Sequence, residues 1–389
     1  MKKVKKLNKL KELINKLCPN GVKYKNIQEL CKISRGKVMS KDFIKANAGD
    51  YPVYSSQTEN NGELGKISTY DFDGEYLTWT TDGANAGSVF YRKGKFSVTN
   101  VCGLLEIKNK VMIPKFLYYV LSIEAPKYVN AGMGNPKLMS NVMAKIRVAV
   151  PPLEVQCEIV HILDNFTLLS AELSAELKAR KKQYEYYKNK IFNNKNVKYM
   201  KLEDIGQVKM CKRILKSQTN SISGIPFYKI GTFGKEPDAY ISEETYKDYL
   251  KKYNHPKKGD ILISCAGTIG RTVVYDGKPA YFQDSNIVWL EHDESIVLNK
   301  YLLYSYSLNP WNISTGGTIA RLYNDNILKA LIPVPTIEDQ IKIIKVLDNF
   351  DKICNSLMDG LPAEIEARQK QYEYYRDKLL TFKELKVNE

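Results

Sequence analysis

The period of the hydrophobic positions changes several times along the chain. Over residues 1–18, Val4, Leu7, Leu10, Ile14 and Leu17 recur at helical spacing among lysines, which predicts a basic amphipathic helix. Pro19-Asn20-Gly21 stops it. From Val22 to about Val150 the pattern is one of short strands and turns. Tyr76-Leu77-Thr78-Trp79-Thr80-Thr81 reads as a strand, Asp82-Gly83 and Ala86-Gly87 as turn signals, and Ser88-Val89-Phe90-Tyr91 as a returning strand. Lys115 to Leu121 fits a short helix. Residues 154–192 then place Ile159, Leu163, Phe166, Leu169, Leu173 and Leu177 at steps of three and four, with no Gly or Pro between them. That is a long helix carrying an apolar stripe suited to a helix–helix seam.

The same pattern is then written again. Val150-Pro151 and Leu163-Asp164-Asn165-Phe166 return 184 residues later as Val334-Pro335 and Leu347-Asp348-Asn349-Phe350. Gly132, Lys137, Leu138 and Lys145 have counterparts at Gly316, Arg321, Leu322 and Lys329. Asp260 to Ser264 is a second strand, Ala266 to Gly270 a second Gly-bearing turn, and Thr272 to Tyr275 the strand after it. Gln183-Tyr184-Glu185-Tyr186-Tyr187 returns as Gln371-Tyr372-Glu373-Tyr374-Tyr375, now 188 residues on. The four extra residues fall at Asp359-Gly360-Leu361-Pro362, which predicts a break in the second long helix with Pro362 in the first turn of its continuation. A unit this long is no solenoid repeat. It predicts an N-terminal helix at 1–20, a mixed domain at 21–150, a helical connector at 151–196, a second mixed domain at 197–334 and a second connector at 335–389. The fold class is α+β. Within the first connector, Ser170-Ala171-Glu172-Leu173 repeats as Ser174-Ala175-Glu176-Leu177. Each copy adds about 6 Å of helix axis, so the repeat works as a length adjuster; ordinary helix-forming composition is the plainer reading.

Charge narrows the class of partner. A formal net charge of +16 over 389 residues favours a polyanion, nucleic acid before an anionic membrane surface, although Lys-rich codon usage gives the same sign. The seven cysteines form no C-x-x-C and read as reduced thiols in cytoplasm. No apolar run reaches transmembrane length. No G-x-G-x-x-G after a strand, Walker A loop or H-E-x-x-H is present. His161, His255 and His292 lie far apart and mark no metal site. The expectation is no catalytic residue, no metal and no cofactor.

Two mixed domains alternating with two similar helices, Leu-Asp-Asn-Phe, the Ser-Ala-Glu-Leu repeat and Ala179-Arg180-Lys181-Lys182-Gln183-Tyr184-Glu185-Tyr186-Tyr187 together resemble the specificity subunit of a type I restriction-modification system. Thr80 to Gly87 and Gly259 to Gly270 resemble segments of that family's target-recognition domains. The resemblance implies that each domain reads one half of a split double-stranded DNA target. It implies that the two helices pack antiparallel, as a coiled coil with pseudo-two-fold repetition, and fix the gap between the half-sites. It implies a non-catalytic subunit that holds two methyltransferase subunits and, in the full complex, restriction subunits. A stand-alone DNA-binding protein or decoy with the same fold is the alternative.

Base reading requires polar side chains and Arg on loops. The candidates are Gln57, Asn60, Asn61, Thr81, Asp82, Asn85 and Arg92 in the first domain. In the second they are Thr232, Lys235, Thr268, Arg271, Gln283 and Arg321. Arg is scarce and Lys abundant, which favours Arg92, Arg271 and Arg321 as base readers. For each candidate a turn, cap or solvent role stands beside the functional one. The pairs Tyr184/Tyr187 and Tyr372/Tyr375 fit helix–helix packing or, alternatively, a docking surface for methylating subunits.

Overall fold

The computed structural model describes the chain except for Met1, Asn109, Met133, residues 314–319 and residues 386–389; for residues 2–8 it describes the backbone alone. The expected counterpart Gly316 and the side chains of Val4 and Leu7 therefore lie outside the described residues. The chain forms two compact units, one of residues 1–173 with 365–389 and one of residues 174–364. The boundary cuts both helical connectors, so each unit owns one mixed domain and parts of both.

In the first unit, the N-terminal helix Lys2–Leu17 buries Leu10 among Ile159, Leu163 and Phe166. Lys9 adds an ion pair to Glu158 at 2.7 Å. Among the described side chains of this helix, Leu10, Leu13 and Ile14 join the core, while Leu17 stays exposed. The domain is built on a six-stranded sheet in the order Cys31–Arg35, Cys102–Ile107, Phe72–Thr80, Val89–Val98, Ala48–Tyr54, Glu63–Ile67. All pairs are antiparallel except Ala48–Tyr54 with Val89–Val98. The alternation in Tyr76 to Thr80 puts Leu77 and Trp79 into the core, where the Trp79 indole donates to the Leu138 carbonyl at 3.0 Å. The helix Pro114–Glu124 buries Phe116, Leu117 and Val120 in the same core.

The second unit repeats this plan with one change. Its sheet Gln207–Met210, Ile287–Glu291, Ile261–Ser264, Thr272–Val274 follows the order of the first. The ten-residue strand Val89–Val98, however, is replaced by two pieces, Thr272–Val274 and Tyr281–Phe282. Asp276-Gly277-Lys278-Pro279 separates them, since Pro279 has no N–H for a ladder and Gly277 takes φ +86. The second piece joins Ile225–Tyr228 in parallel, the counterpart of the one parallel pair in the first unit.

The first connector is one uninterrupted helix, Leu153–Phe192. The second breaks where Gly-Leu-Pro predicts, into Ile337–Asn355 and Leu361–Leu380. A Cβ on Gly360 would sit 2.4 Å from the Lys352 carbonyl oxygen, so the break packs back on the helix it ends. Within the second unit, Tyr184 and Tyr187 meet Phe350 while Arg180 and Lys181 face Cys354. Rising numbers on one helix meet falling numbers on the other, so they run antiparallel there. Each connector is also pinned to its domain by a glutamine with no exposed surface. Gln156 donates to the carbonyls of Val111 and Pro151 and accepts from the Ile113 N–H; Gln340 does the same with Ile296, Pro335 and Leu298. Two buried side chains thus satisfy six backbone groups at the domain–helix junctions.

Candidate nucleic-acid interface

Each domain presents a Gly-bearing turn framed by a hydroxyl. In the first unit, Thr80 Oγ1 donates to the Asn85 carbonyl at 2.5 Å and accepts from the Ser88 N–H at 3.0 Å. In the second, Ser264 Oγ donates to the Thr268 carbonyl at 2.5 Å and accepts from the Arg271 N–H at 2.9 Å. Gly87 and Gly270 close the two turns with φ +83 and +77, which L side chains rarely adopt. Behind each turn one more backbone bond recurs, Leu138 N–H to the Thr81 carbonyl and Leu322 N–H to the Cys265 carbonyl, both at 2.9 Å.

Around the first turn gather two further loops. Ser56 Oγ accepts from the Thr81 N–H at 2.9 Å, and Asn85 Nδ2 donates to Thr58 Oγ1 at 3.0 Å. Asp82 and Asn130 both pair with Lys137 along the backbone. Asn60, Asn61 and Asn85 are exposed on this loop cluster; Asn60 and Asn61 hold φ +48 and +54, which Asn tolerates better than most residues. Gln57 spends its amide on the Glu63 carbonyl at 2.6 Å, and Asp82 is half-buried.

Two of the expected readers in this domain are internal. Thr81 is buried and donates to the Val101 carbonyl at 2.7 Å. Arg92 is 3% exposed. Register with Tyr76 turns its side chain under the sheet, where the guanidinium lies 3.6 Å from the Tyr54 ring centroid and 4.6 Å from that of Phe90. Its Nε donates to Thr78 Oγ1 at 3.0 Å. Burial pushes its pKa down, with the phenol of Tyr54 acting the other way. Arg92 is therefore a packing cation held by π faces, not a base reader at the surface. Arg35 and Arg147 are the exposed arginines among the described residues of this domain; Arg35 Nε donates to Ser140 Oγ at 3.2 Å, and Arg147 pairs with Glu384.

In the second unit the candidates divide similarly. Lys235 and Thr268 are exposed. Thr232 Oγ1 accepts from the Lys229 N–H at 3.1 Å, and Gln283 Oε1 accepts from the Ile230 N–H at 2.9 Å, so both brace the loop after Tyr228. Arg271 Nη1 donates to the Phe233 carbonyl at 3.0 Å and ties that loop to the Gly-bearing turn. Arg321 Nη2 donates to the carbonyl and the Oγ of Ser285, at 2.9 and 3.2 Å. Arg213, which carries no sequence motif, joins the same loop through Nε to Asp284 Oδ2 at 2.8 Å. Scarcity of arginine was the one signal that could have selected Arg35 and Arg213.

The tyrosine pairs expected as docking residues face the helix seams. Tyr184 stacks on Phe350 with centroids 5.9 Å apart, and Tyr375 stacks on Phe166 at 5.7 Å. Tyr187 and Tyr372 pack on the same two phenylalanines. The middle tyrosine of each motif is the most outward, Tyr186 and Tyr374 both being 60% exposed, while Tyr187 packs on Phe350 with one edge and is itself 40% exposed.

His255 and His292 lie against backbone carbonyls of their own domain, Pro256 with Ala280 and Leu290 with Val297. Among the described residues there is no group of three or more His, Cys, Asp or Glu placed to hold a metal. None of the described helices is long and apolar enough to cross a membrane.

The "Type I restriction modification DNA specificity domain" matches this chain twice, at residues 19–183 and 194–367. A type I restriction enzyme specificity subunit of Haemophilus influenzae is 44% identical over 374 residues, covering 93% of this chain and 96% of that one. A type I specificity subunit of Mycoplasma pneumoniae is 36% identical over 367 residues, covering 91% and 96%. The crystal structure of the type I restriction-modification S subunit from M. genitalium superposes with a TM-score of 0.56 at 14% identity, covering 92% of this chain and 96% of that one, a likeness of fold.

Proposed function

Since the chain belongs to the family of type I restriction-modification DNA specificity subunits, we propose that it reads a split duplex target, one half with each mixed domain. The observation that carries this reading is the duplicated frame. Two Gly-bearing turns of the same construction stand on two domains, each pinned to a long helix by an equivalent glutamine, Gln156 or Gln340, and by the Asp of Leu-Asp-Asn-Phe, with Asp164 accepting from Tyr119 and Asp348 from Tyr304. A chain that builds one reading head twice, with different loop residues each time, suits a target of two different words.

The long helices set the distance between the words. The uninterrupted helix Leu153–Phe192 has 40 residues and extends for about 60 Å, on the scale of one to two turns of duplex. Two methyltransferase subunits dock on this chain, and restriction subunits join the complete assembly. The chain itself binds and positions and performs no bond chemistry. Its surplus of lysine holds phosphates and leaves sequence to a few loop residues. It works in the cytoplasm on double-stranded DNA.

Co-expression with methylating subunits from the same host tests this. A stable complex that methylates duplex DNA is expected, while the isolated chain binds DNA and modifies nothing. Methylation by the isolated chain, or failure to join any methylating subunit, contradicts the proposal. The stand-alone reading predicts the second of these failures.

A further inference from the structure

The turn Gln283–Asn286 is a ridge between two polar clefts of the second domain. One, of about 680 Å³, is lined by Met210, Arg321, Tyr323, Asn324, Asn326 and Lys329. The other, of about 610 Å³, is lined by Arg213, Lys216, Asn220, Lys229, Asp238 and Asn286. Ser285 belongs to both. It holds φ +52, a left-handed conformation that a serine adopts at a cost. That conformation turns its carbonyl and hydroxyl oxygens together onto one guanidinium, that of Arg321. On the other side Asp284 holds Arg213.

The charge arrangement points to nucleic acid. Each carboxylate lining the clefts has a cationic partner: Asp284 with Arg213, Asp238 with Lys229 at 2.8 Å, Asp325 with Lys329 at 3.5 Å. Arg321 and Lys216 stand beyond these pairs as further positive charge. The neutral side chains in the clefts are mostly amides and hydroxyls, the groups that pair with base edges. Arg321 is recessed and half-buried, whereas phosphates are met by outlying lysines. Both bonds to Ser285 leave from one nitrogen, Nη2, so they fix the guanidinium at one corner; a planar fork held in that way suits the O6 and N7 acceptors on the major-groove edge of guanine.

We propose that Arg321 and Arg213, on either side of the Gln283–Asn286 turn, are the direct sequence readers of the second domain, and that its half-site contains a G·C pair read by Arg321 in the major groove. This rests on the specificity-subunit reading above.

The test uses the assembled methylating complex and a library of split targets with randomised half-sites, scored by sequencing methylated bases. The half-site belonging to the second domain is identified as the one that changes when residues 197–334 are exchanged. Arg321→Lys keeps the charge and a donor for Ser285 but loses the planar fork. It is expected to relax the preference for guanine at one position of that half-site by about 10- to 100-fold, with the other half-site unchanged. Arg213→Lys, at an exposed position that does not threaten folding, is expected to relax a second position of the same half-site. A half-site without a G·C pair overturns the proposal. So does a uniform loss of methylation across all sequences in Arg321→Lys, which marks a phosphate contact, or an unchanged motif in both variants. A wild-type complex that modifies no split target is a different failure, that of the specificity-subunit reading itself.

Discussion

Tyr119 donates its phenolic hydrogen to Asp164 at 2.5 Å, and the Lys115 ammonium closes on the same carboxylate at 2.7 Å. Tyr304, Lys300 and Asp348 repeat the arrangement in the second unit. The acid is the second residue of each Leu-Asp-Asn-Phe; the phenol and ammonium come from the short helix of the recognition domain. A hydrogen bond to an ionised acceptor is among the stronger polar contacts a protein makes. It fixes the domain's angle on its helix, which a reading head at a set distance requires. Asp164→Ala leaves the buried Tyr119 hydroxyl without its acceptor and is expected to cost about 1–3 kcal/mol. Urea unfolding of the two proteins measures it. Glu243→Gln, which breaks an ion pair on an exposed helix, should leave the midpoint where it was.

Alkaline pH should loosen the same latches. Burial, reinforced by Asp164 and Asp348, pushes the Tyr119 and Tyr304 phenols well above the usual tyrosine range. Burial together with Asp351 raises Tyr184 at the helix seam to about 12. A phenol whose folded pKa exceeds its unfolded value of about 10 contributes fully below pH 10. Above that the unfolded chain ionises first, and the contribution falls until the folded pKa is passed. Stability is therefore expected to decline from about pH 10 upward. Ultraviolet difference absorbance of tyrosinate should show these phenols ionising only as the protein unfolds. Their free titration near pH 10 in the folded protein would refute the latch.

DNA affinity should depend steeply on salt. With +16 net charge and lysine far in excess of arginine, phosphate neutralisation is expected to dominate binding. A series of gel shifts from low to physiological salt should lose on the order of 10³-fold in affinity. Conversion of Arg92 to Lys is expected to change stability and not the salt slope, since that charge sits between Tyr54 and Phe90 inside the domain.

Much of the architecture is legible in the residues alone. The duplication is legible as repeated residues at a constant offset, and the Gly-bearing turns and the break at Gly360-Leu361-Pro362 follow from local chemistry acting within a few residues. The interface is less legible because its geometry is set across long separations. Nothing near Asp164 announces that its partner is Tyr119, 45 residues earlier. Arg92 reads as a surface reader until pairing with Tyr76 sends it beneath the sheet. Arg213 lies in a segment without motif and gains meaning only when Asp284 meets it from 71 residues away. The tyrosine motif shows the same limit. Spacing identifies a helical face, but Phe350 and Phe166 decide that Tyr184 and Tyr375 face inward and Tyr186 and Tyr374 outward.

Shortening the first long helix tests its role as a spacer. Deleting Ser174-Ala175-Glu176-Leu177 removes four residues, about 6 Å of axis, close to two base-pair steps. The half-sites recognised by the assembled complex are expected to stay the same while the gap between them shrinks by one or two base pairs. New half-sites at the old spacing would contradict this.

The most direct measurement is base-resolution methylation sequencing of the host genome with and without this chain. The expected result is one motif made of two short defined words separated by an unspecified gap of fixed length, methylated in the parent and lost entirely on deletion. A single continuous motif, or a methylation pattern that survives deletion, would contradict the claim that this protein is the two-headed reader of a split target.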